Sequence, residues 1–339
     1  MLLPSISHIA RQFKIEGDVL KAQPFGDGLI NSTYLVTTNR QKYILQKINR
    51  QVFKDIPALA RNKVKITEHI RCQHQANSLE FMPTFQGVYY FKDADGEYWQ
   101  CSKFIEDTFT FSKVSSPHLA YEAGKVIARF QSYLTDLDAQ EIVDTIPHFH
   151  NTSKRITDLQ KSIHQDTFHR KQEVTDLIRI AKQYERLVQD IDRSIQSGII
   201  PTRLVHNDTK ISNILFDQNH KAMCMIDLDT CMRGSVLHDF GDALRSGTNT
   251  GTEDSPVNVF MSLELFEGYA KGYLSIATTF LEEIELNHLA YAGVLITYEQ
   301  FIRFLVDYLN GDTYYKIQHP KHNLERAQSQ AKLLQSMMA

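Results

Sequence analysis

The sequence is short of several things, and each shortage removes a class of protein. Cysteine occurs four times, as Cys72, Cys101, Cys224 and Cys231, with no Cys-x-x-Cys pair. Neither a disulfide framework nor a thiolate metal site is therefore expected, and reduced, mostly buried thiols in a cytoplasmic protein fit the usage. The opening MLLPSISHIARQF lacks the basic flank and continuous apolar core of a secretory signal. No apolar run reaches the length of a membrane span, LAYAGVLITY being the longest suggestive one. There is no surplus of positive charge either. The formal net charge is −3, whereas a broad nucleic-acid surface requires a basic face. Internal repeats, low-complexity tracts and long charge blocks are also missing. What remains is an ordinary globular composition, 42% hydrophobic and 23% charged, over 339 residues. That length suits two lobes better than one core.

The patterning along the chain divides in the same way. Residues 5–13 suit a short helix, with Ile6, Ile9 and Phe13 on one face. Residues 32–37 and 43–48, rich in β-branched and aromatic side chains around TTNRQ, predict a hairpin. A helix-compatible stretch over 57–72 follows, then a second hairpin candidate around Asp95-Gly96. From about residue 107 the pattern turns helical. Ser116-Pro117 reads as an N-cap with proline at the first helical position, and Leu119 to Leu137 mark the inward face. A helix is expected over 173–196 with Gly198 as its stop, and another over 282–309 ending at Asn310-Gly311. Ser255-Pro256 is expected to cap one more. Two short strands, 214–216 and 223–226, interrupt the helices. The expectation is an α+β protein: a β-rich N-lobe over 1–106 and a larger, mainly helical C-lobe over 107–339.

The stretch LVHNDTKISNILFDQNHKAMCMIDLDT, residues 204–230, carries the chemistry. Asp208 and Asn213 stand five residues apart, the spacing of the catalytic loop of protein kinases. That loop pairs a carboxylate that orients a hydroxyl with an amide that holds magnesium, and a further Asp grips the metal. Asp227, after the apolar run MCMI, is the candidate for that Asp, and Asp229 is a candidate for a second metal or water. His206 is placed to brace the loop. Lys210 suits either a phosphate-facing role or plain exposure. Gly26-x-Gly28-x-x-Asn31, leading into Ser32 and a strand, fits a flap over nucleotide phosphates, with Asn31 tolerating a left-handed backbone in place of a third glycine. The lysine that kinases carry on the third strand is absent: Gln46 takes its place, and Lys47 points to the other face unless a bulge turns it inward. Glu68 is a candidate partner for such a lysine, with a solvated glutamate the plainer reading.

With these residues in place the chain resembles the aminoglycoside phosphotransferase and choline kinase superfamily, and within it the N-acetylhexosamine 1-kinases. The likeness is carried by FGDGLINSTY, YILQKINRQVFKD, YEAGKVIARFQ, HNDTKISNILFD, IDLDT, HDFGDALR and RFLVDYLNGDTYYKI, which span almost the whole chain. It implies a bilobal kinase-like fold, ATP and Mg2+ as cofactors, and γ-phosphate transfer to the anomeric hydroxyl of GlcNAc or GalNAc. On that likeness Asp208 would be the base, Asn213 and Asp227 the metal ligands, and Thr230, Arg245, Arg303 and Tyr314 candidates around the sugar. The partner would be a small sugar, with no nucleic acid or membrane, and the protein a monomer. Two readings compete: a same-fold kinase for another sugar, choline, homoserine or an aminoglycoside, and a non-catalytic nucleotide-binding relative. Asp239 is expected to brace the catalytic loop rather than to react.

Overall fold

The computed structural model describes residues 4–26 and 30–339. Helix α1, Pro4–Ala10, is followed by strands β1, Val19–Pro24, β2, Ser32–Thr38, and β3, Lys42–Ile48. The predicted hairpin is β2–β3; β1 is a strand that patterning does not single out, because Lys21 and Gln23 interrupt its few apolar residues. Helix α2, Ile56–Gln73, starts at Asp55, whose side chain accepts from the Ala58 N–H. Strands β4, Phe91–Lys92, and β5, Tyr98–Lys103, complete an antiparallel sheet in the order β1-β2-β3-β5-β4. The second expected hairpin is thus lopsided. Asp93 folds back to accept from the Trp99 indole at 2.7 Å and the Glu97 N–H at 2.8 Å, which ends β4 after two residues.

Alternation along the strands gives this sheet two different faces. Val36, Tyr43, Leu45, Trp99 and Cys101 form one cluster with Ile6, Ile9 and Phe13 on the outer side. On the inner side Ile48 and Tyr98 meet Ile56 and Leu59 of α2. The second half of α2 joins the other lobe's core, where Ile66 and Ile70 are buried. One helix is therefore shared between two hydrophobic clusters.

The C-lobe contains α3, Pro117–Tyr133, α4, Thr152–Gln165, and α5, Thr175–Gln196. Ser116 caps α3 as expected, accepting from the Leu119 N–H. Four short strands follow: β6, Arg203–Val205, β7, Ile214–Phe216, β8, Ala222–Met225, and β9, Met232–Gly234. They pair antiparallel as β6–β9 and β7–β8. Helices α6, Val236–Gly247, α7, Leu263–Ala277, α8, Glu283–Leu309, and α9, His322–Met337, close the lobe.

The helix expected at Ser255-Pro256 does not form. Thr250 instead donates its hydroxyl to the carbonyls of Asn258 and Phe260, holding the segment as a loop, and Ser262 caps α7 by accepting from Leu265. Helix α8 corrects another expectation: it is long and apolar enough to cross a membrane by length and composition. Some 72% of its apolar window is buried within the protein, so it serves as the central core helix. Cys101, Cys224 and Cys231 are buried and Cys72 is exposed, and burial pushes the Cys224 thiol up to about 12.

Helices α3 and α7 touch backbone to backbone because a glycine on each faces the main chain of the other. A methyl group on Gly124 would meet the Tyr269 carbonyl, and one on Gly272 would meet that of Tyr121. Replacing Gly272 with Ala is therefore expected to lower unfolding free energy by about 1–3 kcal/mol, as overpacking does. Chemical denaturation of the variant checks this; a loss smaller than the propensity gain of alanine would contradict the close approach.

Candidate active site

The loop after β6 holds its shape because its backbone amides are served by carboxylates from α6. Asp239 accepts from the N–H of Asn207 at 2.7 Å and of His206 at 3.0 Å, and from the Gln131 amide at 2.8 Å. Asp242 accepts from the Thr209 N–H at 2.9 Å. Asp239 thus braces the loop, as expected from sequence. His206, fully buried, donates from Nε2 to the Ile226 carbonyl at 2.9 Å, and its Nδ1 accepts from the Asp208 N–H at 3.3 Å. The imidazole therefore ties the loop to the end of β8 and is not free to act as a base.

Asp208 emerges half-buried from this frame. Its Oδ2 accepts from Lys210 Nζ at 2.9 Å and Asn213 Nδ2 at 3.0 Å. Its other oxygen accepts no hydrogen bond among the described residues. Burial presses the carboxyl upward, but the Lys210 charge and hydrogen bond outweigh it and hold Asp208 below the usual carboxylate range. Since Asn213 turns its NH2 towards Asp208, its Oδ1 is left for a cation. The Ile226 N–H donates to the Asn213 carbonyl at 2.8 Å, bringing the next residue, Asp227, alongside. Asp227 adopts a left-handed backbone (φ 59°, ψ 56°) that turns the chain sharply at the strand's end and leaves the residue exposed. Crowding by surrounding protein, then the like charges of Asp229 and Asp208, push its carboxyl up to about 6, a push that water at this open position tempers. A carboxylate and an amide oxygen beside nucleotide phosphates are a donor set suited to a hard cation such as Mg2+.

The nucleotide-side candidates are distributed differently from expectation. Gly26 has a positive φ of 73°, as a tight flap turn requires; Gly28 lies outside the described residues. Asn31 is not left-handed. Its amide is what matters, accepting from the Asn49 N–H at 3.0 Å and donating to Asp229 Oδ2 at 2.5 Å. The β2–β3 register runs without a bulge from Ser32 opposite Lys47 to Thr37 opposite Lys42. Lys47 consequently stays on the outer face, 3.8 Å from Glu97, while Gln46 faces inward with its amide 3.4 Å from the Thr33 hydroxyl. Glu68 is exposed and accepts from Tyr89, so it pairs with no lysine.

The buried cation of this region is Lys63 on α2, whose Nζ lies 2.6 Å from Asp229 Oδ1. Both oxygens of Asp229 are thus engaged, and the side chain is only 7% exposed. It is not open to a second metal in this arrangement. Sequence patterning passes over Lys63, although its place one turn after Leu59 on an otherwise apolar stripe is a usable signal.

On the other side of the loop, Thr230 donates its hydroxyl to the His206 carbonyl at 2.8 Å. Arg245 grips Asp242 Oδ1 through two nitrogens at 3.0 and 2.9 Å and Glu253 at 2.6 Å. Arg303 lies against the rings of Phe149 and Tyr315 and donates to Gln300, whereas Tyr314 is 72% exposed. Between Arg303 and the loop is a pair that patterning does not single out. His150 Nδ1 is 2.9 Å from Glu299 Oε1 and its Nε2 3.3 Å from the Asn207 carbonyl. Both neighbours are acceptors, so the ring is doubly protonated. Glu299 and Arg303, four apart on an apolar helix, were the available clue. Burial presses Glu299 upward, but His150 and Arg303 prevail and bring it down to about 2, while Glu299 raises His150 despite burial. Buried His238, its ring centre 4.6 Å from that of His150 and tilted 41° to it, is lowered to about 3 by burial and then by His150.

The sequence matches the phosphotransferase enzyme family over residues 21–283. Solved structures share the fold at low identity. An aminoglycoside phosphotransferase from Alicyclobacillus acidocaldarius aligns with a TM-score of 0.68 at 15% identity, covering 100% of this chain and 94% of that one. A spectinomycin phosphotransferase in complex with ADP and spectinomycin gives 0.63 at 13%, covering 99% and 97%. A microcompartment-associated aminopropanol kinase gives 0.63 at 14%, with the same coverage.

The Glu299–His150 pair sets a stability window. The depressed carboxyl contributes stability above its ordinary 4.5, lost as pH falls through about 2. The raised imidazole contributes below its ordinary 6.5, lost as pH climbs through its higher folded value. Glu299→Gln, which leaves a buried imidazolium unpaired, should cost about 3–5 kcal/mol at pH 5–6. Urea unfolding across pH is expected to show that cost shrinking on either side; a pH-independent cost would contradict the ion pair.

Proposed function

The chain belongs to the phosphotransferase enzyme family, and on that premise we propose that it transfers the γ-phosphate of ATP, held with Mg2+, to a hydroxyl of a small acceptor. We assign the acceptor as an N-acetylhexosamine, phosphorylated at its anomeric hydroxyl. The observation that carries the reaction is the convergence of Asp208, Asn213 and Asp227, with one oxygen of Asp208 and Oδ1 of Asn213 left without hydrogen bonds among the described residues. When bound, Mg·ATP supplies a transferable phosphoryl group whose charge the metal draws down.

The chain's own residues then do four things. Asn213 Oδ1 and the Asp227 carboxylate would hold the metal. Asp208 presents its free oxygen to the acceptor hydroxyl, orients it in line, and takes its proton as the new oxygen–phosphorus bond forms and the bond from the γ-phosphorus to the β–γ bridging oxygen breaks, releasing ADP. An anomeric hydroxyl belongs to a hemiacetal and is more acidic than other sugar hydroxyls, so a weak carboxylate base suffices. Lys210, its side chain 44% exposed beside Asp208, can turn its ammonium to a phosphoryl oxygen. Gly26 and the strand that Ser32 opens belong to the phosphate flap. A buried amide that lacks partners fits a nucleotide-bearing site as well: Gln100, opposite Gln46, is 2% exposed with neither amide atom hydrogen-bonded.

The acceptor assignment rests on the resemblance of FGDGLINSTY, IDLDT, HDFGDALR and RFLVDYLNGDTYYKI to N-acetylhexosamine 1-kinases. Charge supports it. Around the loop the cations Arg245, Arg303 and His150 are matched by Asp242, Glu253 and Glu299. Those three acids are spent on the protein's own cations rather than presented to a polycationic aminoglycoside. The aminoglycoside and aminopropanol neighbours, at 13–15% identity, support the fold only.

Asp208→Asn is expected to lower kcat by about 100-fold or more with little change in KM, the loss of a group that acts in the transition state. Steady-state kinetics checks this, and unchanged turnover would remove Asp208 from the chemistry. Phosphorus NMR of the protein with ATP, Mg2+ and a panel of free sugars should show a 1-phosphate with GlcNAc or GalNAc. A 6-phosphate, or reaction of 1-O-methyl sugars, would contradict the acceptor assignment.

A further inference from the structure

Kinases place a lysine on the third strand of the small lobe, and here that position is Gln46. The inner face of the sheet offers no replacement nearby, since Gln46 stands opposite another amide, Gln100. The helix packed below that face does. Ile56 and Leu59 of α2 meet the sheet, Ile66 and Ile70 enter the C-lobe core, and Lys63 lies between the two clusters at 1% exposure. Its ammonium is 2.6 Å from Asp229 Oδ1 and 5.3 Å from the centre of the Phe81 ring. The second oxygen of Asp229 accepts from Asn31, at the foot of the flap, and Asn31 is fixed in turn by the Asn49 N–H. Asp229 is two residues from Asp227, within one 3-10 turn.

The geometry points to Lys63 as a positioning residue that ties helix α2 of the small lobe to the metal turn of the large one, in a protein without the strand lysine. Through Asp229 it locks the turn that follows Asp227, so that the Asp227 carboxylate keeps a fixed geometry relative to Asn31 and the start of β2. This rests on the phosphotransfer reading of the site. A purely structural account is weaker on energetic grounds. A buried ion pair contributes little net stability over an apolar pair of the same size, and an apolar residue would extend the α2 stripe without a break. Lys63 also cannot substitute for a phosphate ligand while Asp229 holds it, so its action is on the metal carboxylate.

The test compares Lys63→Met, Lys63→Arg, Asp229→Asn and the Lys63→Met/Asp229→Asn double variant in the full chain. Calorimetric titration with Mg2+ and a non-hydrolysable ATP analogue needs no acceptor, and kcat and both KM values are measured alongside. Lys63→Met is expected to weaken metal–nucleotide binding and lower kcat by about tenfold each, leaving the acceptor KM within about twofold. The double variant should be no worse than Lys63→Met, because both remove one coupling. Lys63→Arg, which keeps the charge on a different fork, should recover part of the loss and carries the test if Lys63→Met does not fold. A folded Lys63→Met with unchanged nucleotide binding and kcat would overturn the inference, as would losses that add with those of Asp229→Asn. If the unaltered protein binds Mg·ATP analogue but phosphorylates another acceptor, the inference is still judged on these numbers. If it binds none, the phosphotransfer reading falls and takes this with it.

Discussion

Backbone amides that belong to no helix or strand must find partners, and in this protein the most consequential ones find Asp239 and Asp242. His206, Asn207 and Thr209 donate to carboxylates from the first turns of α6, and that is what allows a non-repetitive loop to sit in the middle of a packed lobe. Burial raises the Asp239 carboxyl, and the nearby His206, the two loop amides and Gln131 pull it back. Removing any of these partners would leave a buried donor or acceptor stranded, which costs more than the bond itself contributes. Asp208 takes its backbone position from this frame, and Lys210 and Asn213 then fix its side chain.

The second constraint is electrostatic. Asp208, Asp227 and Asp229 stand within one turn-and-strand unit, and three like charges there resist each other. The protein divides them by environment. Lys210 sits on Asp208, Lys63 and Asn31 sit on Asp229, and Asp227 alone of the three makes no ion pair among the described residues and opens outward. The carboxyl with the raised pKa is the one assigned to the metal, which is where a cation is worth most. Two carboxylates are held internally so that the third is available.

Much of the fold was legible because it rests on short-range rules. The β2–β3 hairpin, α2, the Ser116-Pro117 start of α3, α5 and α8 follow from periodicity and capping, which local side chains enforce. Elements whose apolar content is thin, such as β1, α4 and α9, or broken by glycine, such as α6, do not stand out, because tertiary burial rather than pattern stabilises them. Ser255-Pro256 misleads for the same reason: a capping dipeptide permits a helix, but the hydrogen bonds of Thr250 across that segment hold a loop instead.

The site divides along a similar line. His206, Asp208, Asn213 and Asp227 come from one continuous stretch, so their spacing alone brings them together and the reaction class could be read from the chain. What spacing cannot reveal is which side chain from a distant element meets them. The sequence by itself determined the loop, the carboxylate that follows β8 and the absence of a lysine at position 46. Only the tertiary structure decided that Asn31 serves through its amide, that Thr230 and Arg245 are spent on bracing the loop, and that the buried cation comes from α2. Lys63 and Asp229 are 166 residues apart. Their pairing exists because two hydrophobic clusters share one helix, and no local pattern records where that helix will lie.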